Sequence, residues 1–231
     1  MLYKVEAENR LDYEKDLYKK GYKLIGGVDE AGRGPLVGPV VASCVILPIN
    51  YHHEYLNDSK QLSEKKRDEL YDVIMKDAIS VGIGIVEADE IDRINILEAS
   101  RKAMMLAIED MKIKPDYILT DAMDLPTETP YTKIIHGDAK SLSIAAGSII
   151  AKVTRDRLLL ELDKEYPEYE FKKHKGYPTK KHLENIRKYG LLKNYRFTYK
   201  PVSDLIKEDK NVVIRWNYCI VKFLKTIYYE Q

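Results

Sequence analysis

Apolar positions recur along the chain with two periods, and the period switches several times. Residues 22–28 (YKLIGGV) and 39–47 (PVVASCVIL) are short, nearly continuous apolar runs. They predict strands, the second buried on both faces. Residues 79–86 (ISVGIGIV) alternate large apolar residues with small or polar ones, the two-residue period of another strand. DYILT (116–120) and TKIIH (132–136) predict two more. Between these runs the period lengthens. Ser63 followed by Glu64 predicts a capped helix through about Asp77. Ile94, Leu97, Ala103, Met104, Ala107, Ile108 and Met111 predict one helix over 94–112, stopped ahead of Pro115. The strongest helical pattern covers 141–165, through Leu142, Ala145, Ala146, Ile149, Ile150, Val153, Leu158 and Leu162. A shorter helix is predicted near 179–189. Leu2, Val5, Leu11, Leu17 and Tyr18 stand among charges and predict a helical arm over 2–20. NYCIVKFLKTIYY, near the C-terminus, fits a helix or a strand. Strands interspersed with helices predict an α/β fold with a central mixed sheet.

Composition narrows the class. The chain has 231 residues, 45% hydrophobic and 32% charged, enough to bury a core without disulfide or structural metal. No apolar run approaches the roughly 18 residues that span a bilayer, and MLYKVEAENRLDYEKD is too charged for a signal peptide. A cytoplasmic protein without a membrane partner is expected. Cys44 and Cys219 are too far apart in sequence to suggest a disulfide framework. The formal net charge of +1 conceals segregation: from Lys172 to Lys200 there are eight Lys and two Arg against one Glu, Glu184. His174, Tyr177, His182, Tyr189, Tyr195, Phe197 and Tyr199 are interleaved. Cations neutralise phosphates and rings stack on sugars or bases; a solvated charged face fits the same composition.

Four acids stand at the ends of apolar segments. Asp29 and Glu30 close the first strand, Asp121 closes DYILT, and Asp138 lies between TKIIHG and the long helix. Carboxylates at strand ends can meet in one cleft, where hard oxygen donors suit Mg²⁺ or Mn²⁺. A pair of such ions serves phosphoryl displacement. Asp138 could equally favour the start of the next helix through its dipole. The segment DEAGRGPLVG (29–38) holds three glycines and a proline but spells neither a dinucleotide nor a P-loop cradle. It fits a tight turn, or a backbone pressed against a ribose or phosphate.

The string IGGVDEAGRGPLVGPVVASCVILP closely resembles the opening motif of the type 2 ribonuclease H family, ribonuclease HII. NDSKQLS, HGDAKSLSIAAGSIIAKVTRDR and HKGYPTKKHLENIRKYG resemble it too, in the same order, over about residues 22–202. The spacing from Asp121 to Asp138 and the HKGYPT segment are closer to the bacterial branch. The resemblance implies a ribonuclease H-like fold. It implies hydrolysis of RNA in RNA/DNA hybrids and incision 5′ of single ribonucleotides in duplex DNA, leaving 5′-phosphate and 3′-hydroxyl ends. Asp29, Glu30, Asp121 and Asp138 match four carboxylates that bind two divalent ions, Mg²⁺ or Mn²⁺. Gly32, Arg33 and Gly34 match the segment that contacts the 2′-hydroxyl at an RNA-to-DNA junction, and Tyr177 matches a tyrosine on the neighbouring sugar. Lys60 falls where the family contacts phosphate, and Lys172, Lys173 and Lys175 are expected on the nucleic-acid backbone. Three positions depart from the pattern: Ala122, where Gly is usual; Gly147, where Ala is commoner; and Tyr195, where His is usual. The expected organisation is a helical arm (1–20), a catalytic domain (21–200) and a C-terminal appendage (201–231) with a helical extension. A monomer is expected. KFLKTIYYEQ is not a clear match to a replication-clamp peptide, so that partner stays open. A non-catalytic binder of the same fold would favour Asn or Lys over the four acids.

Overall fold

The computed structural model describes residues 11–53, 56, 62–208 and 214–215. The chain divides into two compact units. One comprises Met1–Arg33 and Pro39–Arg157, the other Gly34–Gly38 and Leu158–Gln231.

The first unit is built on a five-stranded sheet. In chain order its strands are β1 (Ile25–Ala31), β2 (Val40–Ile46), β3 (Ser80–Val86), β4 (Tyr117–Asp121) and β5 (Tyr131–Ile134), and in space β3-β2-β1-β4-β5. β1 pairs antiparallel with β2 and parallel with β4, so the sheet is mixed as expected. Its helices are α1 (Asp12–Lys19), α2 (Glu64–Asp77), α3 (Ala88–Ile94), α4 (Ile96–Asp110), α5 (Gly137–Lys140) and the first part of α6 (Leu142–Glu165). Small strand residues let helix backbones come close on both faces. A Cβ on Gly82 or Gly84 of β3 would overlap the Ala107 or Ala103 carbonyl of α4. A Cβ on Gly27 of β1 would overlap Ser143 and Ile144 at the start of α6. Antiparallel register puts Gly82 opposite Cys44 and Cys44 opposite Val28, so Val28 and Glu30 share the α4 face. Gly27 and Asp29 face α6. There Val45, Leu70, Ile74, Ala146, Ile149, Ile150 and Val153 form a buried apolar cluster. No helix among the described residues is long and apolar enough to cross a membrane.

Two elements differ from expectation. The predicted helix over 94–112 is two helices, because Asn95 takes a left-handed φ of 68°. Its side-chain oxygen accepts from the backbone N–H of Leu97 and Glu98, starting α4 afresh. β5 stops at Ile134, and His136, at φ 58°, turns the chain into α5.

The second unit holds the end of α6, a 3-10 turn at Pro167–Tyr169, α7 (Phe171–His174), α8 (Lys180–Tyr189), β6 (Leu191–Leu192), α9 (Val202–Glu208) and β7 (Ile214–Arg215). Its core is aromatic: Tyr169, Phe171 and Tyr195 pack with Leu36, Val37, Leu159, Ile186 and Leu192. The Tyr169 hydroxyl donates to the Tyr189 and Gly190 carbonyls at the end of α8. Residues 1–10 of the expected arm, Lys60, Cys219 and most of 203–231 lie outside the described residues.

Candidate active site

Parallel pairing of β1 with β4 sets Val28 beside Thr120, so Asp29 and Asp121 follow at the same end of neighbouring strands. Asp138 arrives from β5 through the turn at His136. The Asp121 carboxylate accepts from the Gly137 N–H at 2.8 Å, tying that turn to β4. Asp29, Asp121 and Asp138 each bring a carboxylate oxygen within 4.8 Å of the other two. Asp29 and Asp138 are buried.

Glu30 is not part of that trio. Adjacent strand residues point to opposite faces, so it leaves β1 on the α4 side. One of its oxygens, Oε1, accepts from Arg33 Nη1 at 3.4 Å; the other, Oε2, is buried with no hydrogen-bond partner. Burial raises the Asp29 carboxyl well above the carboxylate range, and the charges of Glu30 and Asp121 push it further. The Ser148 hydroxyl and the Glu30 N–H, which donate to Asp29, oppose the rise. Burial also raises Glu30; Arg33 opposes this and Asp121 adds to it. Three converging acids and a buried Glu30 oxygen without a hydrogen-bond partner fit a divalent cation held by oxygen donors.

Asp138 lies in the first turn of α5, and Ser141 caps α6, accepting from the Ile144 N–H at 3.2 Å. Glu14 of α1 adds to it, fully buried, accepting from Ser141 Oγ at 2.6 Å and Ser143 N–H at 3.0 Å. Burial raises its carboxyl. Glu14 therefore anchors the segment immediately after Asp138, and inspection of the sequence missed it. A lone acid on the side of a helix that also carries Leu17 and Tyr18 was the available signal. Arg155 was missed too. It is 1% exposed, and its Nε donates to the Pro39 carbonyl at 3.2 Å.

Ala122 and Gly147 have physical explanations. Ala122 sits at φ 51°, a left-handed conformation natural to glycine, and its N–H donates to the Ile134 carbonyl. Ala122→Gly should therefore raise the melting temperature by about 2–4 °C. Release of roughly 1–2 kcal/mol of backbone strain outweighs the entropy of the freer unfolded chain; a fall in melting temperature on scanning calorimetry would refute this. At Gly147 a Cβ would lie 2.9 Å from the Gly27 carbonyl oxygen, so alanine would need α6 to shift off β1.

Gly32 requires glycine twice over. Its φ is 102°, and a Cβ would run into Arg155 and lie 2.8 Å from the Pro39 carbonyl oxygen. Arg33 is exposed and pairs with Glu30. In the second unit a Cβ on Gly34 would lie 3.3 Å from the Tyr177 ring, which is 45% exposed. The basic stretch is less open than its composition suggests. Arg196 is fully buried, with Nε and Nη2 donating to the Gly38 carbonyl. His174, His182 and Tyr195 are buried rather than arrayed for stacking. Lys173 pairs with Glu170, and Lys172 lies 4.0 Å from Asp163. Lys175 turns the chain at φ 49°.

A family model described as Ribonuclease HII matches residues 26–202. Ribonuclease HII of Acholeplasma laidlawii (strain PG-8A) is 55% identical over 200 residues, covering 87% of this chain and 98% of that one. Ribonuclease HII of Bacillus subtilis (strain 168) is 58% identical over 195 residues, covering 84% and 76%. Among solved structures, the ribonuclease H2 from Pyrococcus horikoshii OT3 superposes with a TM-score of 0.71 at 27% identity, covering 81% of this chain and 99% of that one.

Proposed function

The chain belongs to the ribonuclease HII family and is a metal-dependent ribonuclease H acting on RNA/DNA hybrids, and from that premise we propose that it also incises duplex DNA 5′ of single embedded ribonucleotides. The observation that carries this reading is the half-exposed Tyr177 ring over Gly34, inside the Gly32-Arg33-Gly34 segment. RNA differs from DNA at the 2′-hydroxyl, and a backbone without side chains can reach it. Gly32, Arg33 and Gly34 are assigned to that hydroxyl, and Tyr177 to the sugar on its 3′ side.

Asp29, Asp121 and Asp138, with Glu30 as a fourth donor, would hold two divalent ions, Mg²⁺ or Mn²⁺. Such ions supply Lewis acidity toward a scissile phosphate and lower the pKa of an attacking water. The protein's own contribution is placement: β1 and β4 fix Asp29 and Asp121, while Gly137 N–H and Glu14 hold the two sides of the turn that bears Asp138. Products with 5′-phosphate and 3′-hydroxyl ends require water to displace the 3′ oxygen of the preceding nucleotide, so that the P–O3′ bond breaks and the phosphate stays on the ribonucleotide. One chain carries all four carboxylates, which supports action as a monomer.

The reading is tested with a duplex carrying one ribonucleotide, an all-DNA duplex and an RNA/DNA hybrid, each with and without Mg²⁺. Incision 5′ of the single ribonucleotide, dependent on metal, is expected. Cleavage of the hybrid alone would overturn the junction reading.

The lysines make a separate prediction. With Ca²⁺ in place of Mg²⁺ to hold binding apart from cleavage, affinity for a hybrid should fall steeply with salt. Replacing Lys172, Lys173 and Lys175 by Gln should flatten the log–log slope by about 1 for each phosphate left without its lysine. An unchanged slope would remove these lysines from the interface.

A further inference from the structure

Behind Tyr177 lies a buried pair of histidines that the proposed chemistry does not use. The His174 and His182 rings stack at 4.1 Å, 19° from parallel. Their partners assign every ring nitrogen. His174 Nδ1 accepts from the Gly176 N–H at 3.2 Å, so Nε2 carries the proton and donates to the Tyr169 carbonyl at 2.9 Å. His182 Nδ1 stands 2.9 Å from the Tyr177 carbonyl, which can only accept, so Nδ1 carries the proton there. His182 Nε2 is then an acceptor, and the Tyr195 hydroxyl donates to it at 2.8 Å. Burial favours the neutral form of both rings and pushes His182 down to about 4, its stacked neighbour adding to the effect. Burial likewise keeps the Tyr195 hydroxyl protonated, as a donor must be.

These bonds converge on one residue. The Tyr177 N–H donates to the His174 carbonyl at 2.9 Å. The Tyr177 carbonyl accepts from His182 Nδ1 and from the Thr179 N–H at 2.8 Å. Just before it, Lys175 and Gly176 turn the chain through two left-handed residues, and the Gly176 carbonyl accepts from the Leu36 N–H. Both backbone polar groups of Tyr177 are thus engaged, while its ring stands half exposed.

We propose that Tyr195 and His182 form a positioning relay for Tyr177. The Tyr195 hydroxyl holds the orientation of the His182 ring by donating to Nε2, and His182 Nδ1 holds the Tyr177 carbonyl. The orientation imposed on the Tyr177 ring sets the preference for a single-ribonucleotide junction over a run of ribonucleotides. This rests on the assignment of Tyr177 to the sugar made above. Without the Tyr195 hydroxyl, His182 Nε2 is left a buried acceptor without its donor, and the ring loses one of the two bonds that hold it. Histidine at 195 can present a ring N–H in the same role.

The test is the ratio of kcat/KM on a single-ribonucleotide duplex to kcat/KM on an RNA/DNA hybrid. Because both substrates meet the same enzyme stock, the ratio is independent of the fraction folded. Tyr177→Ala should lower it by about tenfold, and Tyr195→Phe by roughly fivefold. The double variant should match Tyr177→Ala alone, since the relay acts only through Tyr177. Tyr195→His should restore most of the ratio lost in Tyr195→Phe. An unchanged ratio in Tyr195→Phe, with both activities falling in parallel, would overturn the relay and leave the Tyr177 assignment standing. So would a double variant whose losses multiply. An unchanged ratio in Tyr177→Ala would overturn both.

Discussion

Asp29→Asn should lower hydrolysis of an RNA/DNA hybrid by about a thousandfold or more while leaving the metal-free protein at least as stable as the wild type. The first half follows from removing one carboxylate from the converging trio of aspartates proposed to hold the metal. The second follows from what that carboxylate costs the protein without metal. Asp29 is buried beside Glu30 and Asp121, and its carboxyl is held well above the ordinary range by burial and by both neighbours. The folded protein keeps the Asp29 proton at pH values where the unfolded chain has released it. Stability from this group is therefore lost as pH rises through the folded value. Asparagine has no such loss, and its oxygen can still accept from the Glu30 N–H. The advantage of the variant should widen as pH rises above the ordinary carboxylate range, at about 2–4 °C for each kcal/mol of repulsion removed. Divalent metal should reverse the order. At one hundred times its Kd it adds about 2.7 kcal/mol to the wild type, and much less to the variant. Thermal melts in EDTA and in Mg²⁺ decide the matter; a clear fall in the EDTA melting temperature would mean that Asp29 is a structural acceptor.

Gly27→Ala should be strongly destabilising. The added Cβ overlaps backbone atoms of Ser143 and Ile144, which cannot swing away as a side chain would. Either β1 or α6 must move, and both are joined to segments that carry acids of the converging trio. A loss of about 3 kcal/mol or more is expected, with a melting temperature lower by about 6–12 °C. The remaining folded enzyme should cleave poorly as well. A variant that keeps the wild-type urea midpoint would show that α6 has more freedom above the sheet than this packing implies.

Much of this site was legible along the chain because its residues sit where periodic segments end. The apolar runs located β1 and β4, and parallel pairing of those two strands brings Asp29 and Asp121 side by side. Segment ends also picked out Glu30 and Asp138, and the ordered motifs grouped all four acids. Alternation along β1 already separates Asp29 from Glu30, so their different surroundings were implicit in the residue spacing. Asn95 was legible in principle, since Asn followed three residues later by Glu98 resembles a capping signal inside the long periodic stretch. Glu14 was not legible in the same way, because its partners lie 127 and 129 residues away and no local pattern encodes that pairing. The basic stretch misled through averaging. Its charge count places Arg196 with exposed lysines, although Arg196 is fully buried against the Gly38 carbonyl.

The bond between Glu14 and Ser141 also sets an order of assembly. During synthesis Glu14 emerges 127 residues before Ser141. At ribosomal rates of roughly 5–20 residues per second, the acid waits about 6–25 s for its partner. Until then α1 has no α6 to dock on, and a nascent chain cut short before residue 141 carries Asp29 and Asp121 without the anchored turn of Asp138. The turn that bears Asp138 is therefore anchored only after the last strand of the central sheet has been made.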